Sequence, residues 1–112
     1  MKSKIIIKTQ FEGMHRWKDA PDEVFFLKDP HRHIFYVEVE MSVNHDDREL
    51  EFILVKRSIN EFLAEAMGEI DSSCETMAKQ ICEFLEKKYG KRSIRVAVLE
   101  DNENGGIVEN GF

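Results

Sequence analysis

Three histidines, His15, His31 and His33, are the residues of this chain most able to do chemistry together. Residues two apart on a strand point to the same face, so His31 and His33 project side by side. His15 closes a first alternating stretch and His31 opens the next. If those stretches pair antiparallel, with residues 16–30 connecting them, all three imidazoles meet at one end of a hairpin. Parity agrees: His15 shares the apolar parity of Ile5, Ile7, Thr9 and Phe11. Three neutral imidazoles with an open fourth position describe a catalytic rather than a structural zinc site. A His₃ set also suits iron and other first-row metals. Such an ion polarises a carbonyl or hydroxyl, or lowers the pKa of bound water. An H-x-H pair alone also arises by chance on a half-buried strand. The third histidine, at matching parity, turns the pair into a candidate site. His45 lies in the Asn44-His45-Asp46-Asp47 turn and reads as a solvated side chain.

The elements that must position these residues follow from periodicity. Residues 4–15 alternate with period two and predict a strand. Residues 16–30 read as an irregular loop, because Pro21 and Pro30 argue against a central strand. A loop of that length is usually functional or disordered. Residues 31–43 give the clearest strand, with His31, His33, Phe35, Val37, Val39, Met41 and Val43 on one face. A short strand is expected at Glu49–Phe52. A helix follows from about Ile53 to Met67, its stripe Val55, Ile59, Phe62, Leu63 and Met67, with Gly68 as its stop. A second helix is expected from about Ser73 to Tyr89, its stripe Cys74, Met77, Ile81, Phe84 and Leu85. Ser72 with Glu75 three residues later makes a capping-box pattern, and Gly90 is a fitting C′ residue. Strands are expected at about Ser93–Glu100 and Gly106–Glu109, joined by a turn. Sequential strands joined by turns favour an antiparallel sheet with the helix pair on one face, an α+β domain spanning residues 1–112.

Composition limits the functions open to this domain. The chain has 112 residues, 16 Lys+Arg against 22 Asp+Glu, and a net charge of −6. That balance speaks against a general nucleic-acid binder, which needs a basic stripe. The hydrophobic fraction of 42% with eight Phe makes a packed core feasible. No apolar run approaches the ~18 residues of a membrane span, so no membrane partner is expected. Met1-Lys2-Ser3-Lys4 is basic, but Ile5-Ile6-Ile7 stops at Lys8, too short for a signal peptide core. Cys74 and Cys82 fall in one predicted helix, about 12 Å apart along its axis, too far for a disulfide. Reduced thiols fit a cytoplasmic location.

Phe11-Glu12-Gly13-Met14-His15, followed by His31-Arg32-His33 and a strand, resembles the metal site of the 6-pyruvoyl-tetrahydropterin synthase and 6-carboxytetrahydropterin synthase family, with its F-x-A-x-H and H-G-H motifs. Leu50-Glu51-Phe52 is similar to that family's aspartate-phenylalanine step into the first helix. Ser73-Cys74-Glu75-Thr76-Met77-Ala78 resembles its P-T-x-E-x-x-A helix start. Val96-Ala97-Val98-Leu99-Glu100-Asp101 resembles its V-x-V-x-E-T strand end. No single motif is specific, but all stand in the family's order.

The resemblance implies the tunnelling fold, with four antiparallel strands and two helices in the order ββααββ. It implies a homohexamer built as a dimer of trimers, with sites between subunits and one Zn²⁺ per chain on His15, His31 and His33. It implies that Glu100, with Glu75 nearby, holds a pterin- or purine-like ring by its amino-pyrimidine edge. A carboxylate accepts two parallel N–H bonds from such an edge. The capping box gives Glu75 a competing structural role. The implied substrate is 7,8-dihydroneopterin triphosphate or a relative, on a pathway toward queuosine-type deazapurines. The implied reaction is a lyase reaction of the 6-carboxytetrahydropterin synthase type.

The departures are specific. The family's catalytic cysteine precedes H-x-H, yet residues 24–30 contain none. The family's Asp-His proton relay between the helices has no histidine here, and Asp71 is what remains. Glu23 or Asp29 could substitute as a base, if burial raised its pKa. Cys74 sits on the helical stripe and reads as core. Arg16, Lys18 and Lys28 could bind a triphosphate or stay solvated, and Arg32 should face away from the histidines. Trp17 and Phe25-Phe26 could stack on a ring or make oligomer contacts. Two functions therefore stay open: a lyase with an altered base, or a protein that binds the ring without lyase chemistry.

Overall fold

Alternation with period two builds the two longest strands, and their pairing frames everything else. The protein is described by a computed structural model covering residues 1–67 and 71–111. Strand β1 spans Ser3–His15 and β2 spans His31–Val43. They pair antiparallel without a slip, from Ser3 opposite Val43 to His15 opposite His31. The odd-numbered side chains of both strands face the core, where Ile7, Phe35, Val37, Val39 and Met41 are buried.

Residues 16–30 are more ordered than the sequence suggests. A 3-10 segment, Asp22–Lys28, folds between the strands, kinked at Val24. Pro21 presets its entry, at φ −67°, and the Val24 N–H donates to the Pro21 carbonyl at 3.0 Å. Asp22 and Glu23 lie at its N-terminal end and Lys28 at its C-terminal end, as the local dipole favours. The Trp17 N–H closes the loop on the Leu27 carbonyl at 2.7 Å.

Helix α1 spans Phe52–Ala66 and α2 spans Cys74–Tyr89. The expected strand at Glu49–Phe52 does not form. Glu51 is instead the N-cap of α1, its carboxylate accepting from the Ile53 and Leu54 N–H groups, and Phe52 is already helical. The Gly68 stop lies outside the described residues. The α2 cap is also one residue later than the capping-box reading. Ser73, not Ser72, accepts from the Thr76 N–H at 3.1 Å. Glu75 is thereby freed from the reciprocal half of a capping box. Gly90 closes α2 at φ 84°, as expected of that position.

Strands β3, Ile94–Glu100, and β4, Asn104–Glu109, complete a four-stranded antiparallel sheet in the spatial order β1-β2-β3-β4. The α+β class therefore stands. The observed order is strand, 3-10 segment, strand, two helices, two strands, rather than a plain ββααββ. Helix α2 packs on β3 and β4, and α1 packs on β1. Phe62 of α1 stacks on Phe84 of α2 with ring centroids 4.5 Å apart. A Cβ on Gly106 would lie 2.8 Å from Cγ of Glu75 and 3.0 Å from its backbone nitrogen, so a larger residue there would make Glu75 shift. No described helix is long and apolar enough to cross a membrane.

At the end of the sheet away from the histidines, Arg92 ties three segments together. Its guanidinium donates to the Tyr89 carbonyl, to the Ser42 carbonyl at 3.0 Å, and to Glu49 at 2.8 Å. The Arg92 guanidinium, with the Asn44 N–H, holds the Glu49 carboxyl below its ordinary value of 4.5. A carboxylate lowered in the folded state stabilises above its unfolded pKa, and that contribution is lost as pH falls through the folded value. The melting temperature is therefore expected to fall below about pH 4.5 more steeply in the wild type than in Glu49→Gln. Parallel slopes in a pH series of thermal melts would contradict this role.

Candidate metal centre

The register of β1 against β2 places the three imidazoles at one end of the sheet. His15 and His31 are directly paired, with ring centroids 4.6 Å apart. His33 lies two residues along the same face, 4.9 Å from the His31 ring and 5.3 Å from the His15 ring. Phe35 packs edge-on beneath His15 and His33 and seals the group from the core. Strand β3 brings a fourth residue. Glu100 pairs with Phe35 across the sheet, so its side chain shares the histidine face.

Each ring is held by its Nδ1. His15 Nδ1 donates to the Ser72 carbonyl at 2.9 Å, and His31 Nδ1 to the Asp29 carbonyl at 2.8 Å. His33 Nδ1 donates to the Asp101 carboxylate at 2.7 Å. A carbonyl or carboxylate can only accept, so these partners assign the ring proton to Nδ1 in each case. In the neutral ring, each Nε2 is then the nitrogen that carries the free lone pair. His15 Nε2 and His31 Nε2 are buried with no hydrogen-bond partner. Glu100 Oε2 lies 2.6 Å from His15 Nε2 and 3.5 Å from His33 Nε2, and the shorter contact lacks hydrogen-bond direction.

Two lone-pair donors at that separation repel unless a proton or a metal cation lies between them. The ligand atoms of His15, His31, His33 and Glu100 all fall within 4.8 Å of one another. Imidazoles anchored through the outer nitrogen are the arrangement that metal-binding histidines adopt. The donor set therefore fits a divalent first-row metal ion, and this group could hold one. The three histidines come together as the sequence predicts. Glu100 does too, but within the ligand group itself, not only beside it.

A cavity of about 480 Å³ opens over the centre. His15, His31, Glu75 and Glu100 line it, with Cys74, Arg16, Trp17 and Leu27. Glu75 reaches it because α2 begins at the cavity wall and Ser73 carries the cap. Asp71 also lines it, bound by Arg16 at 3.0 Å and Lys18 at 3.4 Å. The Arg16 guanidinium, aided by Lys18, holds the Asp71 carboxyl below its usual value, which makes it a weak base. Neither Glu23 nor Asp29 lines the cavity, and both are exposed. Asp29 contributes only its backbone carbonyl, to His31. Arg32 pairs with Glu12 on the opposite face, as its parity requires. Phe25 and Phe26 lie exposed against each other in the 3-10 segment. Cys74 is both a core residue and a lining residue.

Asp101 and Ser72 are the site residues that sequence reasoning missed. Ser72 acts through its backbone, which no residue type advertises. Asp101 reads as an ordinary turn residue, and only the sheet register shows it beside His33. No known protein-family model matches this chain, and no curated protein is detectably similar to it.

Replacing any of His15, His31 or His33 by Ala is expected to weaken metal binding by more than about 100-fold, a larger loss than outer partners cause. Metal content by elemental analysis checks this, and variants that retain full metal would remove the centre. The Cys74 thiol is a second test. Burial, then the negative charges of Glu100 and Glu75, pushes it up to about 12. It is expected to stay unreactive toward a disulfide reagent at neutral pH until the protein unfolds. Rapid labelling of the native protein would contradict that environment.

Proposed function

We propose that this chain is a zinc-binding protein of the tunnelling fold, related to the 6-pyruvoyl-tetrahydropterin synthase and 6-carboxytetrahydropterin synthase family, that binds a pterin- or purine-like ring. The observation that carries the reading is the set of Nε2 atoms meeting Glu100 at the floor of the cavity. The motif order along the chain and the two helices between β2 and β3 support it. Zinc, when bound, would polarise a hydroxyl or carbonyl of the ligand. His15, His31 and His33 would hold it. Glu75 would accept the paired N–H groups of the ring, with Glu100 shared between ring and metal. Trp17 would stack at the mouth. One zinc per chain and a homohexamer, a dimer of trimers, are what the resemblance implies. The open edges of β1 and β4 and the exposed Phe25 and Phe26 are consistent with such contacts. Two free, buried cysteines suit a cytoplasmic location.

Binding without lyase chemistry is favoured over turnover by one specific observation. Of residues 24–30, only Leu27 lines the cavity, so no acid of that segment faces the candidate metal centre. Asp71 is tied into its ion pairs, and the Cys74 thiol stays protonated. Proton abstraction from a pterin side chain needs a base within reach at a matched pKa.

Calorimetry of the zinc-loaded protein with pterins and guanine nucleotides tests the proposal, alongside a native mass spectrum of the untreated protein. Saturable binding of at least one ring compound is expected, with zinc in each chain. No binding across the whole set would overturn the proposal. Turnover of 7,8-dihydroneopterin triphosphate anywhere between about pH 6 and 9 would replace the binding reading with the lyase one.

A further inference from the structure

We infer that Asp101 is a positioning residue of the metal centre: it orients His33 from outside the ligand set and sets how tightly the cation is held. This rests on reading the histidine group as a metal site and extends it to a side chain that touches no metal. The three rings are not anchored alike. His15 and His31 donate to backbone carbonyls, which are neutral. His33 alone donates to a carboxylate, Asp101 Oδ2, and this is the shortest of the three bonds, at 2.7 Å. Hydrogen bonds to an ionised acceptor are roughly twice as strong as neutral ones. A carboxylate behind an imidazole also makes the opposite nitrogen a better metal donor.

The placement of Asp101 is over-determined. Its second carboxylate oxygen accepts from the Ile34 N–H at 3.1 Å, and its own N–H donates to the Ile34 carbonyl at 2.8 Å. Its backbone is left-handed, at φ 53°, a conformation that aspartate tolerates better than most residues. That reversal brings neighbours in sequence to opposite sides of one ring. Glu100 Oε2 approaches Nε2 at 3.5 Å, while Asp101 Oδ2 holds Nδ1. Two carboxylates around three neutral imidazoles supply the charge that a divalent cation balances.

Two variants test the inference without destroying the turn. Asp101→Gly accepts the left-handed backbone and removes the acceptor. Asp101→Asn keeps the shape and a neutral acceptor. Zinc affinity is measured by chelator competition, and the His33 tautomer by long-range ¹⁵N–¹H NMR of the metal-free protein. The expected result is a zinc Kd raised roughly 10- to 100-fold in Asp101→Gly and by less in Asp101→Asn. The Nδ1–H tautomer of His33 should be kept in Asp101→Asn and lost in Asp101→Gly. If the wild type binds zinc and both variants match it, Asp101 has no positioning role, while the metal reading survives. If the wild type itself binds no zinc, both fall together. Should Asp101→Gly fail to fold, the Asp101→Asn affinity still decides.

Discussion

The antiparallel register of β1 and β2 is the constraint on which the rest of this structure depends. Thirteen consecutive residue pairs run from Ser3 opposite Val43 to His15 opposite His31. A slip of one residue would send His15 to the solvent face and Ile7 with it. Core and site are therefore specified by the same alternation. Ile7, Val37 and Val39 bury because they share the parity that gathers the histidines. The core enforces the register, and the register in turn assembles the centre. Phe35 marks the boundary, packed against the core on one side and against two imidazoles on the other.

Burying imidazole nitrogens without partners is unfavourable for the folded state by itself. An unsatisfied buried acceptor costs about 1–3 kcal/mol, and His15 Nε2 and His31 Nε2 are both of this kind. Glu100 adds a carboxylate oxygen close to the same point. The surrounding sheet thus holds three imidazoles and a carboxylate together at one point. The binding energy of a cation there would add to the stability of the fold.

Much of this was legible in the sequence because the strongest signals are periodic. The boundaries of β2 follow directly from the alternation of His31 through Val43. The stripes of both helices identify Val55, Ile59, Leu63, Met77, Ile81 and Leu85 as core. His15, His31 and His33 could be brought together because parity and hairpin pairing fix their direction. What was not legible depended on competition between neighbours of similar type. Ser72 and Ser73 both suit a helix cap; in the fold Ser73 takes that role, while the Ser72 carbonyl meets His15. Glu49–Phe52 has apolar and acidic residues at strand-like spacing, yet the Glu51 carboxylate satisfies two helix N–H groups and so starts α1. The 3-10 segment lacks a long periodic pattern, so Pro21 reads as a break and not as a starting point.

The three outer anchors come from well-separated parts of the chain. Asp29 precedes β2, Ser72 lies just before α2, and Asp101 follows β3. Two of these bonds span 57 and 68 residues of sequence. Closing such distant contacts costs chain entropy, which the rest of the fold must offset. The centre is therefore a property of the whole fold and of no single segment. A nascent or partly unfolded chain would present scattered histidines with free tautomers, and only the completed topology would offer a cation its full set of donors.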